Sequence, residues 1–111
     1  MKEIISKIKK ELSNSKEDQS NVIDSLKELR TYFIEHLKEP GLVKMIRFAY
    51  EDIENNGSYS FLFLEEEDSR ANLEYLLDLL ADYGNKYNQE ELREIRDLME
   101  GIERTEEEEE A

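Results

Sequence analysis

The sequence predicts an all-α fold, about five helices in a compact bundle with one short extended segment at about 58–64 between helices 3 and 4. Three observations carry this expectation. Apolar residues recur at three- and four-residue spacing through most of the chain, the signature of helices that bury one face. Punctuation falls at Pro40-Gly41, Gly57 and Gly84, between the periodic stretches. Only Asn55 to Asp68 refuses a helical rhythm: two asparagines and a glycine lead into Tyr59-Ser60-Phe61-Leu62-Phe63-Leu64, then into Glu65-Glu66-Glu67-Asp68.

The elements follow in order. Residues 2–13 place Ile4, Ile5, Ile8 and Leu12 on a narrow stripe among lysines, a short amphipathic helix docked at the start of the domain. A polar connection comes next, in which Asp18 or Ser20 can cap the second helix. From Asn21 to Lys38 the positions Val22, Leu26, Leu29, Phe33 and Leu37 give the strongest helical rhythm in the chain. Pro40 ends it, since proline disfavours helical geometry in the residue before it and suits the first turn of a new helix. That third helix, from Pro40 to Asn55, buries Leu42, Met45, Ile46, Ala49 and Ile53, and Gly57 closes it.

In an extended chain Tyr59, Phe61 and Phe63 would point one way and Ser60, Leu62 and Leu64 the other. No second strand is available to pair with such a segment. A helix beginning near Ser58 or Ser60 is an alternative, made less attractive by the four acids between Leu64 and the next apolar stripe. Two further readings stand side by side: a strand completed by its counterpart in a second subunit, giving a homodimer, or an irregular aromatic connection packed across the bundle. Asp68 or Ser69 caps a fourth helix that reaches Tyr83 through Leu73, Leu76, Leu77 and Leu80. Asn88 and Glu91 have capping-box spacing and open a fifth, with Leu92, Ile95, Met99 and Ile102 inward. Residues 1–102 thus form a single helical domain, and residues 103–111 an acidic tail with nothing to pack, expected to be disordered.

Composition narrows the function. The chain has 111 residues and a formal charge of −14, with 38% hydrophobic and 40% charged residues. Residues 1–64 carry a net −1 and residues 65–111 a net −13, so the negative field belongs to the second half. Nucleic acid and anionic membranes both require a basic footprint, which argues against either as a direct partner. There is no cysteine, hence no disulfide and no thiolate chemistry. No secretory segment and no long apolar run occurs, so a cytoplasmic location is expected.

Catalytic signatures are few. His36 is the sole histidine. It invites comparison with phosphotransfer bundles, yet Pro40 ends the helix four residues later and no serine or cysteine stands in a nucleophile motif beside it. The acid pairs Asp78/Asp82 and Glu90/Glu94 lie opposite the leucine stripes and read as solvated faces. The sharpest motif spans 52–63, where Asp52, Glu54, Asn56 and Ser60 fall at oxygen-ligand positions of a helix-loop-helix calcium loop and Gly57 at its turn. Its last position, which needs a bidentate glutamate, holds Phe63.

The expectation is therefore a small acidic protein-binding module, not an enzyme and without cofactors, acting on a basic protein partner as adaptors, inhibitors and immunity-type proteins do. Its contact residues would be Glu65, Glu66, Glu67 and Asp68, with Tyr59, Phe61 and Phe63 beside them. The alternative is a weak calcium-binding protein built on the degenerate loop at 52–63.

Overall fold

The computed structural model of the chain describes residues 1–14 and 19–101. Asp18, Ile102 and the tail expected at 103–111 lie outside these residues. Five α-helices are present among them: α1 Lys2–Asn14, α2 Ser20–Tyr32, α3 Pro40–Asn56, α4 Ser69–Ala81 and α5 Lys86–Met99. The principal packing partners form a closed circuit: α1 on α2, α2 on α3, α3 on α5, α5 on α4, and α4 back on α1. Each amphipathic stripe therefore finds two neighbours, and one core collects all five.

That core is built from the expected spacings. Ile5, Ile8 and Leu12 enter from α1, and Val22, Leu26 and Leu29 from α2. Met45, Ile46, Ala49 and Ile53 enter from α3; Leu73, Leu76, Leu77, Leu79 and Leu80 from α4; Leu92, Ile95 and Met99 from α5. Full burial of each large aliphatic side chain contributes about 1.5–3 kcal/mol of transfer free energy, so the circuit of stripes is the main source of stability.

Four boundaries differ from those the sequence predicts. Helix 2 does not run as one α-helix to Lys38: beyond Tyr32 the chain widens into a π-helical turn, Phe33–Leu37, closed by a 3.0 Å bond from Lys38 N–H to the Phe33 carbonyl. The widened turn keeps Phe33 buried while the chain brakes for Pro40, and it delivers Lys38 in a left-handed conformation at φ 51°. Gln19, whose side chain makes no capping bond, precedes α2, and Ser20, the described cap candidate, is the helix's first residue. Helix 4 stops at Ala81, short of Tyr83. Helix 5 starts at Lys86, and its cap is Asn85, three residues before Asn88, accepting from Tyr87 N–H and Asn88 N–H, while the Asn88 side chain donates to the Asp82 carbonyl.

Residues 58–64 form no strand; they are an irregular crossing between α3 and α4. The alternation survives in part, with Tyr59 buried, Phe61 and Phe63 half-buried, and Ser60 and Leu62 exposed. Aromatic contacts stand where a partner strand would have been. Tyr59 meets Phe61 edge-on at 5.7 Å, and Phe63 stacks on Tyr75 at 6.3 Å.

The crossing begins at Gly57, left-handed at φ 85°, whose N–H bonds the Ile53 carbonyl. Gly57→Ala has room for its methyl but not the backbone freedom, so it should lower unfolding free energy by about 1 kcal/mol, read as a lower urea midpoint at unchanged slope.

Candidate functional site

The candidate site is the crossing itself, which carries Glu65–Asp68 and overlaps the calcium-like loop. A chain segment that leaves helix and joins no sheet must find partners for its N–H and C=O groups, because unpaired groups near a core are expensive. Two buried polar side chains supply them, one from each flanking helix. Asp52, on the last turns of α3, is 7% exposed, and Asn72, on the first turn of α4, is 2% exposed.

Asp52 gathers the chain just beyond its helix. Its Oδ2 accepts from Ser60 N–H at 2.5 Å, and its Oδ1 accepts from Ser60 Oγ at 2.8 Å and from Asn56 Nδ2 at 2.6 Å. Three of the four calcium-loop candidates, Asp52, Asn56 and Ser60, are thus brought together, but as donors and acceptor to one another. Glu54 faces elsewhere and pairs with Lys27 at 3.1 Å. Phe63 packs on the core. Among the described residues no group of three or more His, Cys, Asp or Glu is placed to hold a metal ion. The spacing that resembles a calcium loop also serves as the spacing of a helix-ending clasp.

Asn72 does the same from the other side. Its Oδ1 accepts from Leu64 N–H at 2.6 Å, while Nδ2 faces the carbonyls of Leu64, Glu67 and Asp68 at 3.1, 3.2 and 2.9 Å. All four contacts are to backbone, so the amide fixes the path of residues 64–68 without regard to their side chains. Sequence reasoning missed Asn72; the signal was an amide on the leucine face of a helix, one turn past its cap.

The four acids of the crossing are all exposed and divide into two roles. Asp68 caps α4, its Oδ1 accepting from Ala71 N–H at 2.8 Å, so its carboxylate is already engaged. Glu65, Glu66 and Glu67 make no side-chain ion pair among the described residues. Three other acids of the second half are tied down, Asp78 by Lys9, Glu74 by Arg70, and Glu91 by the Tyr75 hydroxyl at 2.5 Å, while Asp82, Glu90 and Glu94 also make no side-chain ion pair among the described residues. Of the aromatic contact residues expected beside the acids, Tyr59 is core at 2% exposure, and Phe61 and Phe63 are half-buried. The strand that would have paired with a second subunit is not formed. His36 is exposed on the π turn, its ring 4.6 Å from that of Tyr32, with Glu35 4.0 Å away.

The tyrosines beneath the crossing respond to their surroundings. Burial, aided by the nearby Asp52 carboxylate, holds the Tyr59 hydroxyl well above the usual tyrosine pKa. Burial and the bond to Glu91 do the same for Tyr75. An unfolded tyrosine releases its proton near pH 10, whereas these retain theirs, so above that pH the unfolded state binds fewer protons and stability falls as pH rises.

Two outcomes are expected. Asn72→Ala should cost about 2–3 kcal/mol in urea unfolding, through stranded backbone groups, and should speed hydrogen exchange at Leu64. Tyr59→Phe should flatten the loss of stability above about pH 10 relative to the parent protein, measured as thermal midpoint against pH. Comparison with protein-family models, with curated proteins and with solved structures finds no match to this chain.

Proposed function

We propose that the protein is a non-enzymatic protein-binding module that offers Glu65, Glu66 and Glu67 to a basic surface on another protein. One observation carries the reading: three exposed carboxylates without ion pairs stand together on a backbone held in place by a buried amide. A flexible acidic loop loses conformational entropy on binding, whereas a held one has lost most of it in folding. The like charges are tolerated because solvent and salt screen them until a cationic partner arrives.

The wider charge layout supports the same reading. Residues 65–111 carry a net −13, so the loop belongs to a long-range negative field that would steer a basic protein toward it and repel nucleic acid. No helix is long and apolar enough to cross a membrane among the described residues. A cytoplasmic setting forms part of the proposal. Self-association, were it to occur, would have to use a surface other than an edge strand at 58–64.

The test pairs charge with salt. The triple change Glu65→Gln, Glu66→Gln and Glu67→Gln removes three charges from side chains with no ion-pair partner, so its thermal midpoint should stay close to that of the parent. Association with a fluorescein-labelled lysine-rich peptide should be fast at low salt, slow at high salt, and weakened about tenfold or more by the triple change. An association rate indifferent to salt, or a triple variant that binds as well as the parent, would sink the proposal.

A further inference from the structure

The molecule also carries a surface of opposite character, in residues that the acidic loop does not use. The end of α2, the π turn and the first half of α3 bound an open groove of about 470 Å³. Ile34 and Val43 supply apolar floor, and Arg30, Lys38, Lys44 and Arg47 line the same groove. A single acid, Glu39, stands among them. In a chain with 29 acids and 15 lysines and arginines, four cations to one acid is a local inversion of the composition.

The cations have few acid partners, although Lys44 and Arg47 lie over the Phe48 ring at 5.6 and 5.5 Å. Lys44 pairs with Glu100 at 3.0 Å, but Arg30, Lys38 and Arg47 make no ion pair among the described residues. Arg30 Nε is buried without a hydrogen-bond partner, a donor left unsatisfied at the groove. Ile34 is 46% exposed although it sits between buried Phe33 and the helix end. The backbone is unusual here as well. The π turn and left-handed Lys38 together hold strain of a form common at binding sites.

We propose that this groove docks a short acidic amphipathic helix of another protein. Its aliphatic side chains would cover Ile34 and Val43, and its carboxylates would reach Lys38, Arg47 and the outer nitrogens of Arg30. Charge complementarity selects this occupant. A basic segment would meet four cations, and a wholly apolar one would strand them in a drier environment. Helix-in-groove recognition reads apolar anchors at i and i+4 with charges between, which matches an apolar floor with a charged border.

The probe is a fluorescein-labelled synthetic helix with leucine at i and i+4 positions and glutamate elsewhere, titrated with the full chain and followed by anisotropy. Saturable binding is expected, lowered about tenfold by Ile34→Glu or Arg47→Glu, with far-ultraviolet circular dichroism unchanged. The triple change at Glu65, Glu66 and Glu67 should not weaken this binding, which separates the groove from the acidic loop. Lys38→Gly is the sharpest variant: it eases the left-handed backbone, so it should raise the thermal midpoint while lowering peptide affinity. No saturable binding, or equal binding of a peptide with lysine in place of glutamate, would overturn the proposal. Binding that appears only after Glu106 to Glu110 are changed to glutamine in the full chain would overturn it in favour of the chain's own acidic run as occupant. A dimer that Ile34→Glu dissociates would overturn it in favour of a second copy.

Discussion

The need to satisfy backbone hydrogen bonds across residues 57–68 governs the rest of this structure. Five helices satisfy themselves internally, and their stripes close into one circuit. The crossing between α3 and α4 has neither a helix nor a sheet to rely on, yet it runs against the core and buries Tyr59. Asp52 and Asn72 resolve this by acting as fragments of a missing partner strand, each fixed on a helix and each bonding to the passing chain. Without them the aromatic run would be an adhesive segment with open backbone groups, the kind that pairs with other chains.

The helices are legible in the sequence because they answer to one variable, the spacing of apolar groups. Pro40, Gly57 and Asp68 are equally legible as boundary residues because each acts through local backbone chemistry. The boundaries that differ involve competition between neighbours. Asn85 and Asn88 both qualify as caps, and the turn after Asp82 decides between them. The π turn is invisible because Phe33 and Leu37 keep a four-residue interval whether the helix is α or π. At 58–64 the alternation is real, but alternation reports which side faces the core and says nothing of where hydrogen bonds go. The residues spaced like metal ligands also suit a second task. A carboxylate that ends a helix and captures the chain eight residues later needs a turn-forming glycine and a hydroxyl, as a calcium loop does.

Charge in this molecule is sorted by position more than its total suggests. Acids that pair with α1 or with Tyr75 join elements together. Glu65, Glu66 and Glu67 on the crossing have no such duty, and the cations around Ile34 have little acid to oppose them. Stability asks little of exposed ion pairs, since each contributes only about 0–1 kcal/mol. The charges left over lie at two chemically opposite places, the two surfaces to which the proposals above assign recognition.

Because Asn72 holds only main-chain atoms, the shape of the turn at 64–67 does not depend on which side chains decorate it. Glu65, Glu66 and Glu67 can be exchanged almost freely while the scaffold stays intact. On the proposed reading, the turn is thus a position where natural variation, or a designer, can rewrite binding preference one residue at a time without first having to restore foldability.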